Sequence, residues 1–368
     1  MSFEELEKMP LVQMRDSVGG AQENILRPKV LKDYIGQQSV KSKLEVFMMA
    51  ATARASALDH VLLSGPPGLG KTTLAHIVAS EMKGQLHSAP GPSLQKPADL
   101  AAILMSLNEG DVFFIDEIHR LSPVIEESLF LAMEDFKFEV IMGEGISATP
   151  VSVPLKKFTL VGATTQSGKI SGPFRDRFGI HLNLDFYTVD EMQKILERSA
   201  KILSVSLNTE EIHAVALRSR GTPRIGNRLL ARVRDFVEVL AGAGGKEKAS
   251  ELQKKWGRSQ GVEAVQKALD FLDVDIRGLQ PLDRRYLMVI CELFKGGPAG
   301  VEALAASLSE DRSTLEEMVE PYLLKEGFII RTPRGRVATD LVYSHLGLKG
   351  LKRQPSLDAS PGLFDESL

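Results

Sequence analysis

Cysteine is almost absent from this chain. One residue, Cys291, among 368 excludes an intramolecular disulfide framework and fits a reducing compartment, so a cytoplasmic location is expected. It lies in the apolar stretch RRYLMVICELF, where it reads as core filling rather than as a nucleophile. The seven histidines form neither a C-x-x-C nor an H-E-x-x-H spacing, which argues against a zinc site. No run of about 18 uncharged apolar residues occurs, so no membrane span is expected. The N-terminal MSFEELEKMP is acidic and lacks the apolar centre of a secretory signal. Charge of one sign is also in short supply: the net value is −3, so any surface for nucleic acid must be local.

What remains is a chain too long for one ordinary core, with 43% hydrophobic and 25% charged residues. Residues 1–25 are polar and read as a flexible N-terminus. Across residues 26–186, short apolar runs such as HVLLSG, DVFFID and FTLVGATT alternate with helical patterns such as TTLAHIVASEM. That alternation predicts an α/β domain with a parallel sheet covered on both faces. Within it, FEVIMGEGISATPVSVPL reads as a hairpin around Gly143 and Gly145. Residues 187–261 are helical and end in a Gly/Lys-rich linker, GAGGKEKASELQKKWGRSQG. Residues 262–345 give three helical patterns and a second hairpin; residues 346–368 read as a disordered tail.

Gly65 to Thr72 spell G-x-x-x-x-G-K-[ST] between an apolar strand and an alanine-rich helix, the context a phosphate-binding loop requires. Backbone N–H groups and the helix N-terminus favour phosphate; Lys71 adds a point charge, and the Thr72 hydroxyl suits Mg²⁺. Further on, VFFIDEIHR ends a hydrophobic strand in Asp116 and Glu117, placing two carboxylates at the ligand edge of the sheet. A lone acidic pair is weak evidence. After a phosphate loop it predicts Asp116 as a Mg²⁺ ligand and Glu117 as the residue that polarises water, so ATP is expected to be hydrolysed. Thr165, at the end of LVGATT, fits a γ-phosphate sensor. Arg175 and Arg177 in GPFRDRFG fit either a loop ion-paired through Asp176 or an arginine finger, and the residues alone do not choose between the two arginines. Arg224, in RGTPRIGNRLL, would reach back to the nucleotide.

With GPPGLGKTT, DEIHR, GATT, RDRFG and GTPRIGNRLL in this order, the chain resembles the AAA+ ATPases. LRPKVLKDYIGQ, FIDEIHRLSPVIEESLFLAMED and EPYLLKEGFIIRTPRGRVA extend the resemblance to the RuvB family over about residues 26–345. It implies an AAA+ P-loop parallel sheet domain, a small all-α lid domain and a C-terminal winged-helix domain. It also implies a homohexameric ring on duplex DNA at four-way junctions, acting in recombination and repair with RuvA and RuvC. By the same resemblance, Leu26 and Arg27 would contact the adenine side. Gly68, Gly70, Lys71, Thr72 and Thr73 would bind phosphate and Mg²⁺, with Glu134, Asp135, Phe136 and Tyr187 along the pocket. Arg177 would be the finger acting in trans, Arg224 the second sensor, and the hairpin carrying Ile141 and Ile146 the RuvA dock. The lysine-rich linker is longer than the family's usual connection, and the tail has no counterpart.

The last region, helix–helix–helix–hairpin, is expected to be a winged helix. Pro333 and Gly335 suit a tight turn that would project Arg331, Arg334 and Arg336, and arginine fits phosphate bidentately. Arg331 and Arg336, with Arg312 added by the resemblance, are therefore the expected DNA contacts. One wing neutralises too few phosphates for strong binding, which suits a motor that must release at each step. Two other readings remain at this point: an AAA+ clamp loader or protein remodeller, and a winged-helix regulator that uses ATP as a switch.

Overall fold

The computed structural model describes residues 24–142, 149–240 and 260–348. The chain divides into two compact units, residues 1–278 and 279–368. In the first, β1 (Val61–Ser64), β2 (Leu86–Pro90), β3 (Val112–Asp116), β6 (Thr159–Thr164) and β7 (Ile180–Asn183) form a parallel sheet in the order β2-β3-β6-β1-β7. Between β3 and β6, β4 (Lys137–Met142) pairs antiparallel with β5 (Thr149–Pro154) as the expected hairpin.

The apolar runs are explained by burial on both faces of the sheet. Successive side chains of a strand point to opposite sides. Accordingly Val112 and Phe114 enter one core, and Phe113 and Ile115 enter the other. Leu74, Ile77 and Val78 of α2 (Lys71–Glu81) join the first core, as do Val40, Leu44 and Met48 of α1 (Gln38–Ala53). Leu100 and Leu104 of α3 (Pro97–Ser106) join the second, together with Ile125 and Leu129 of α4 (Pro123–Glu134).

The first core continues into a helical layer of α5 (Val189–Ile202), α6 (Thr209–Leu217) and α7 (Pro223–Leu240). Capping boxes start two of these helices: Thr188 with Glu191, and Asn208 with Glu211. A fourth helix, α8 (Val262–Phe271), corrects the expected boundary at residue 262. Its Val265, Ala268 and Leu269 are buried in the same core, and Phe271 stacks at 5.3 Å on Phe236 of α7. An amphipathic helix goes where its apolar stripe finds a partner, and here that partner is the preceding helical layer. The unit closes at Gly278, whose carbonyl accepts a 2.6 Å hydrogen bond from Arg220 Nε.

The second unit opens with a helix, Pro281–Met288, that continues as a π-turn through Val289–Leu293. A second helix spans Val301–Leu308. The third runs in unbroken succession through Arg312–Thr314, Leu315–Val319 and Glu320–Lys325, its middle portion wound as a π-helix. The wing follows: β8 (Ile329–Thr332) pairs antiparallel with β9 (Gly335–Ala338) across a turn of Pro333 and Arg334. Gly335 has φ +136°, and a Cβ there would lie 2.4 Å from the Ala299 carbonyl oxygen, so only glycine lets the wing sit this close. Beyond the wing, a helix at Asp340–Leu346 buries Val342 in the core of this unit. The expected tail boundary at residue 346 thus falls inside an ordered element. Tyr286, Phe328 and Leu323 are fully buried in that core, and Cys291 is buried there too, with burial pushing its thiol pKa up.

Candidate functional site

Two of the sheet's central strands deliver the chemistry. β1 and β3 flank β6, and their carboxyl ends carry the phosphate loop and the acidic pair. Loops at the carboxyl edge of an open parallel sheet face a crevice where ligands bind. One cleft there brings together Leu26, Arg27, Gly68, Gly70, Lys71, Thr72, Thr73, Asp116, Glu117, Tyr187 and Arg224. Residues separated by almost the full length of the unit thus meet at one place.

The phosphate end is set by local backbone geometry. Gly68 has φ +80°, and a Cβ on it would lie 2.8 Å from Thr222 Cγ2 and 3.1 Å from Arg224 Cβ. A side chain at this position would collide with the start of α7. Lys71 is buried at the first turn of α2, with its ammonium donating to the Gly65 and Pro66 carbonyls at 2.7 and 3.0 Å. Burial lowers its pKa to about 8, against the opposing pull of Glu117 and Asp116, and Arg224 lowers it further. Arg224 lines the same cleft, with its Cβ 3.1 Å from where a Cβ on Gly68 would lie, and so adds positive charge beside the phosphate loop.

Glu117 has a left-handed backbone (φ 51°) and is held from behind. The Thr165 hydroxyl donates to Glu117 Oε2 at 3.1 Å, and His119 Nδ1 lies 3.2 Å from the same oxygen. His119 also lies 3.0 Å from the Thr164 hydroxyl, at the end of β6. Thr165 thus stands against the acidic pair rather than on the cleft wall.

At the other end, Tyr34 and Tyr187 place their hydroxyls 2.8 Å apart over the Leu69 carbonyl. Burial raises both phenol pKa values, that of Tyr187 to about 12. Arg198 of α5 donates to the Leu26 carbonyl at 2.9 Å, tying the N-terminal strap to the helical layer. Tyr34, Arg198, Ser199 and Asn227 line this cleft without having been expected there. Asn227 was within reach of sequence reasoning, because it follows Arg224 by three positions and so shares its helical face. Arg198 and Ser199 carried no such signal.

Glu134, Asp135 and Phe136 do not line this cleft. They end α4, where Glu134 forms a 3.0 Å ion pair with Arg177. The Arg177 guanidinium also lies 5.9 Å above the Phe130 ring, and Arg177 too is outside the cleft. Arg175 is exposed and has no side-chain partner among the described residues. Of the other hairpin, the Ile146 position and the side chain of Ile141 lie outside the described residues.

The wing holds its arginines differently from expectation. Arg331 and Arg336 do not simply project. Arg331 donates to Glu320 Oε2 through Nε (2.8 Å) and Nη2 (2.6 Å). Arg336 donates to Glu320 Oε1 at 2.9 Å and to Glu316 Oε1 at 2.9 Å, leaving its side chain 13% exposed. The tip arginine is Arg334, exposed and without a side-chain partner among the described residues. Strand pairing explains this: Arg331 and Arg336 stand directly opposite each other across β8 and β9 and so share the face that Glu320 occupies, whereas Arg334 lies in the turn between the strands. Arg312 pairs with Glu302 (2.9 Å) and Glu316 (3.0 Å) on the surface.

Comparison with known proteins matches this architecture segment by segment. Residues 26–184 fit the Holliday junction DNA helicase RuvB P-loop domain, residues 187–251 the RuvB AAA lid domain, and residues 276–347 the RuvB C-terminal winged helix domain. Among solved structures, the Thermotoga maritima RuvB Holliday junction branch migration motor is 48% identical with a TM-score of 0.77. The match covers 88% of this chain and 99% of that one. A single-substitution mutant of the Thermotoga maritima protein is 47% identical over the same shares, with a TM-score of 0.78. A phosphate loop, acidic pair and lid arginine in one cleft, followed by a winged helix, place this chain in the RuvB family.

Proposed function

We infer that the chain is an ATP-hydrolysing motor that drives branch migration of four-way DNA junctions. The observation that carries this reading is the cleft that joins Lys71, Asp116, Glu117 and Arg224, in a chain that also ends in a winged helix. No helix among the described residues is long and apolar enough to cross a membrane.

In the mechanism, the phosphate loop and Lys71 bind the triphosphate, and the buried ammonium meets its negative charge with little competing water. Thr72 and Asp116, a hydroxyl and a carboxylate, are the hard oxygen donors that would hold Mg²⁺. When bound, that ion neutralises charge on the β- and γ-phosphate oxygens. Glu117 orients the attacking water and accepts its proton. Thr165 and His119, both on Glu117 Oε2, fix the direction of that carboxylate. Arg224 reports from α7 whether phosphate is present.

Arg177 lies with Glu134 outside the chain's own cleft, which supports its service to the nucleotide of a neighbouring copy. Glu134, Asp135 and Phe136 share that location and would complete the same neighbour's pocket. A site completed by the next copy repeats head to tail and gives a ring where the rotation closes. Membership of the RuvB family supports a homohexamer. RuvA would dock on the β4–β5 hairpin, and RuvC would resolve the junction the ring has moved. The duplex would be gripped by the wing, with Arg331, Arg334 and Arg312 nearest the backbone and Arg336 supporting them from within.

The deciding experiment is ATP-dependent dissociation of a synthetic four-way junction, with and without RuvA. Dissociation should need ATP and rise with RuvA. A chain that hydrolyses ATP normally yet leaves the junction intact under both conditions would overturn the reading.

A further inference from the structure

The wing and the third helix share one charge network, and it divides into two halves of different character. Arg312, Glu316 and Glu320 recur every four residues, so they stack on one helical face. Glu320 is 0% exposed, and a carboxylate so buried is tolerated only when its oxygens are fully engaged. They are: Oε1 accepts from the buried Tyr286 hydroxyl (2.9 Å) and Arg336 Nε (2.9 Å), while Oε2 accepts from Arg331 twice. Burial, with the Glu320 charge beside it, raises the Tyr286 phenol far above its ordinary range, so the hydroxyl remains a donor. Losing both arginines would strand a buried anion, while either one together with Tyr286 still engages it, so this half stays in place as the outer one exchanges. Arg331 still keeps 47% of its side chain exposed, and its Nη1 has no partner among the described residues.

The outer half is of the other kind. Arg312 is 56% exposed and is held by Glu302, 73% exposed, and by Glu316. Hydrogen bonds from Arg312 and Arg336 lower the Glu316 pKa despite partial burial, so the carboxylate stays charged. The Arg312–Glu302 pair, with both side chains more than half exposed, is weak and parts at little cost. Glu316 is 27% exposed and also accepts from Arg336, so it releases Arg312 while keeping that second partner. Three arginines face three glutamates here, so the network itself carries no net charge. A phosphate that approaches Arg312 must replace a carboxylate already in place.

We propose that the wing's DNA site is self-masked: Glu316 and Glu302 occupy the places of backbone phosphates, and Glu320 is the positioning residue that holds Arg331 and Arg336 ready. This deepens the assignment of the wing to duplex DNA and rests on it. Gripping becomes an exchange of carboxylate for phosphate, which keeps each subunit's hold weak and rapidly reversible. The exchange also takes up cations as it releases them, so the salt dependence of binding is shallower than the arginine count implies.

The test is fluorescence anisotropy of the full-length chain on a labelled duplex of arbitrary sequence, over a salt series. Glu316→Gln and the solvent-facing Glu302→Gln should each tighten binding by about two- to fivefold, the scale of an exposed ion pair. Glu316→Gln should also steepen the log–log salt slope by about 1. Glu320→Gln should act in the opposite direction, weakening binding and flattening the slope; if it fails to fold, the two outer variants decide. If Glu316→Gln and Glu302→Gln leave binding unchanged or weaken it while Arg331→Ala also weakens it, the masking role is wrong and the wing assignment stands. If Arg331→Ala and Arg334→Ala change neither affinity nor slope, the wing assignment itself fails, and the masking role with it.

Discussion

The hydroxyl of Thr165 and the carboxylate of Glu117 meet at 3.1 Å across the ends of two neighbouring strands, which makes the residue after β6 a support for the residue after β3. Thr165→Val keeps the volume and removes the donor. ATP affinity should be unchanged while turnover falls by about ten- to a hundredfold, the cost of letting a reacting group drift by about an ångström. Nucleotide titration and steady-state hydrolysis measured on the same preparation check this.

Lys71→Ala and Glu117→Gln should separate binding from chemistry. The first removes the ammonium that sits over the phosphate loop and should lose ATP affinity. The second leaves the loop intact and should hold ATP while hydrolysing it about 10²–10⁴-fold more slowly, the usual scale for a lost general base. Normal turnover in either variant would contradict the site.

Arg177→Ala should bind ATP normally, because Arg177 is absent from the chain's own cleft. Arg177→Ala subunits keep an intact cleft and Lys71→Ala subunits keep an intact arginine, so the two variants, each inactive alone, should regain hydrolysis when mixed in one assembly. No recovery on mixing would remove the trans role.

Much of this site is legible in the sequence for a physical reason. The phosphate loop and acidic pair depend on residue type at fixed local spacing, and the strands that carry them are continuous apolar runs because both faces are covered. What the sequence hides is the partner of each side chain. Arg336 and Arg334 look alike along the chain, yet Glu316 and Glu320 draw one inward and leave the other free. Similarly, the apolar stripe of α8 announces that it will be buried but not against which core. Glu134 is helical by pattern, while its distance from the cleft depends on how far α4 carries it from the sheet edge.

Asp111 gives a prediction about pH. Its carboxylate accepts from the Gln85 and Asn108 amides at 2.8 Å and lies 3.2 Å from His87 Nε2. Burial alone would raise its pKa, but these hydrogen bonds outweigh burial and lower it. A carboxyl with a depressed folded-state pKa stabilises the fold above its unfolded value near 4, and the gain is lost as pH falls through the folded value. Asp111→Asn should therefore cost about 1–3 kcal/mol at neutral pH and proportionally less in acid. Denaturant melts at pH 7 and at about pH 3 would check this, and parallel losses in both proteins would refute it.

Gly335→Ala should loosen the wing without touching the cleft, since a Cβ there would press on the Ala299 carbonyl oxygen at 2.4 Å and φ is +136°. A cost of about 1–3 kcal/mol is expected from such strain. Thermal denaturation of the full chain, with ATP hydrolysis measured in the absence of DNA as the control, reports it.

The docking of α8 onto α7 changes what the lysine-rich stretch can be. Leu240, where α7 ends, and Val262, where α8 begins, belong to one unit, so the lysine-rich stretch joins two helices of that unit and does not join it to the winged helix. The covalent step to the winged helix is the Gly278–Leu279 peptide bond, far downstream. Length added or removed between Leu240 and Val262 therefore leaves unchanged the covalent distance from α8 to the winged helix, and variants that are lengthened, trimmed or tagged there should keep junction-driven activity.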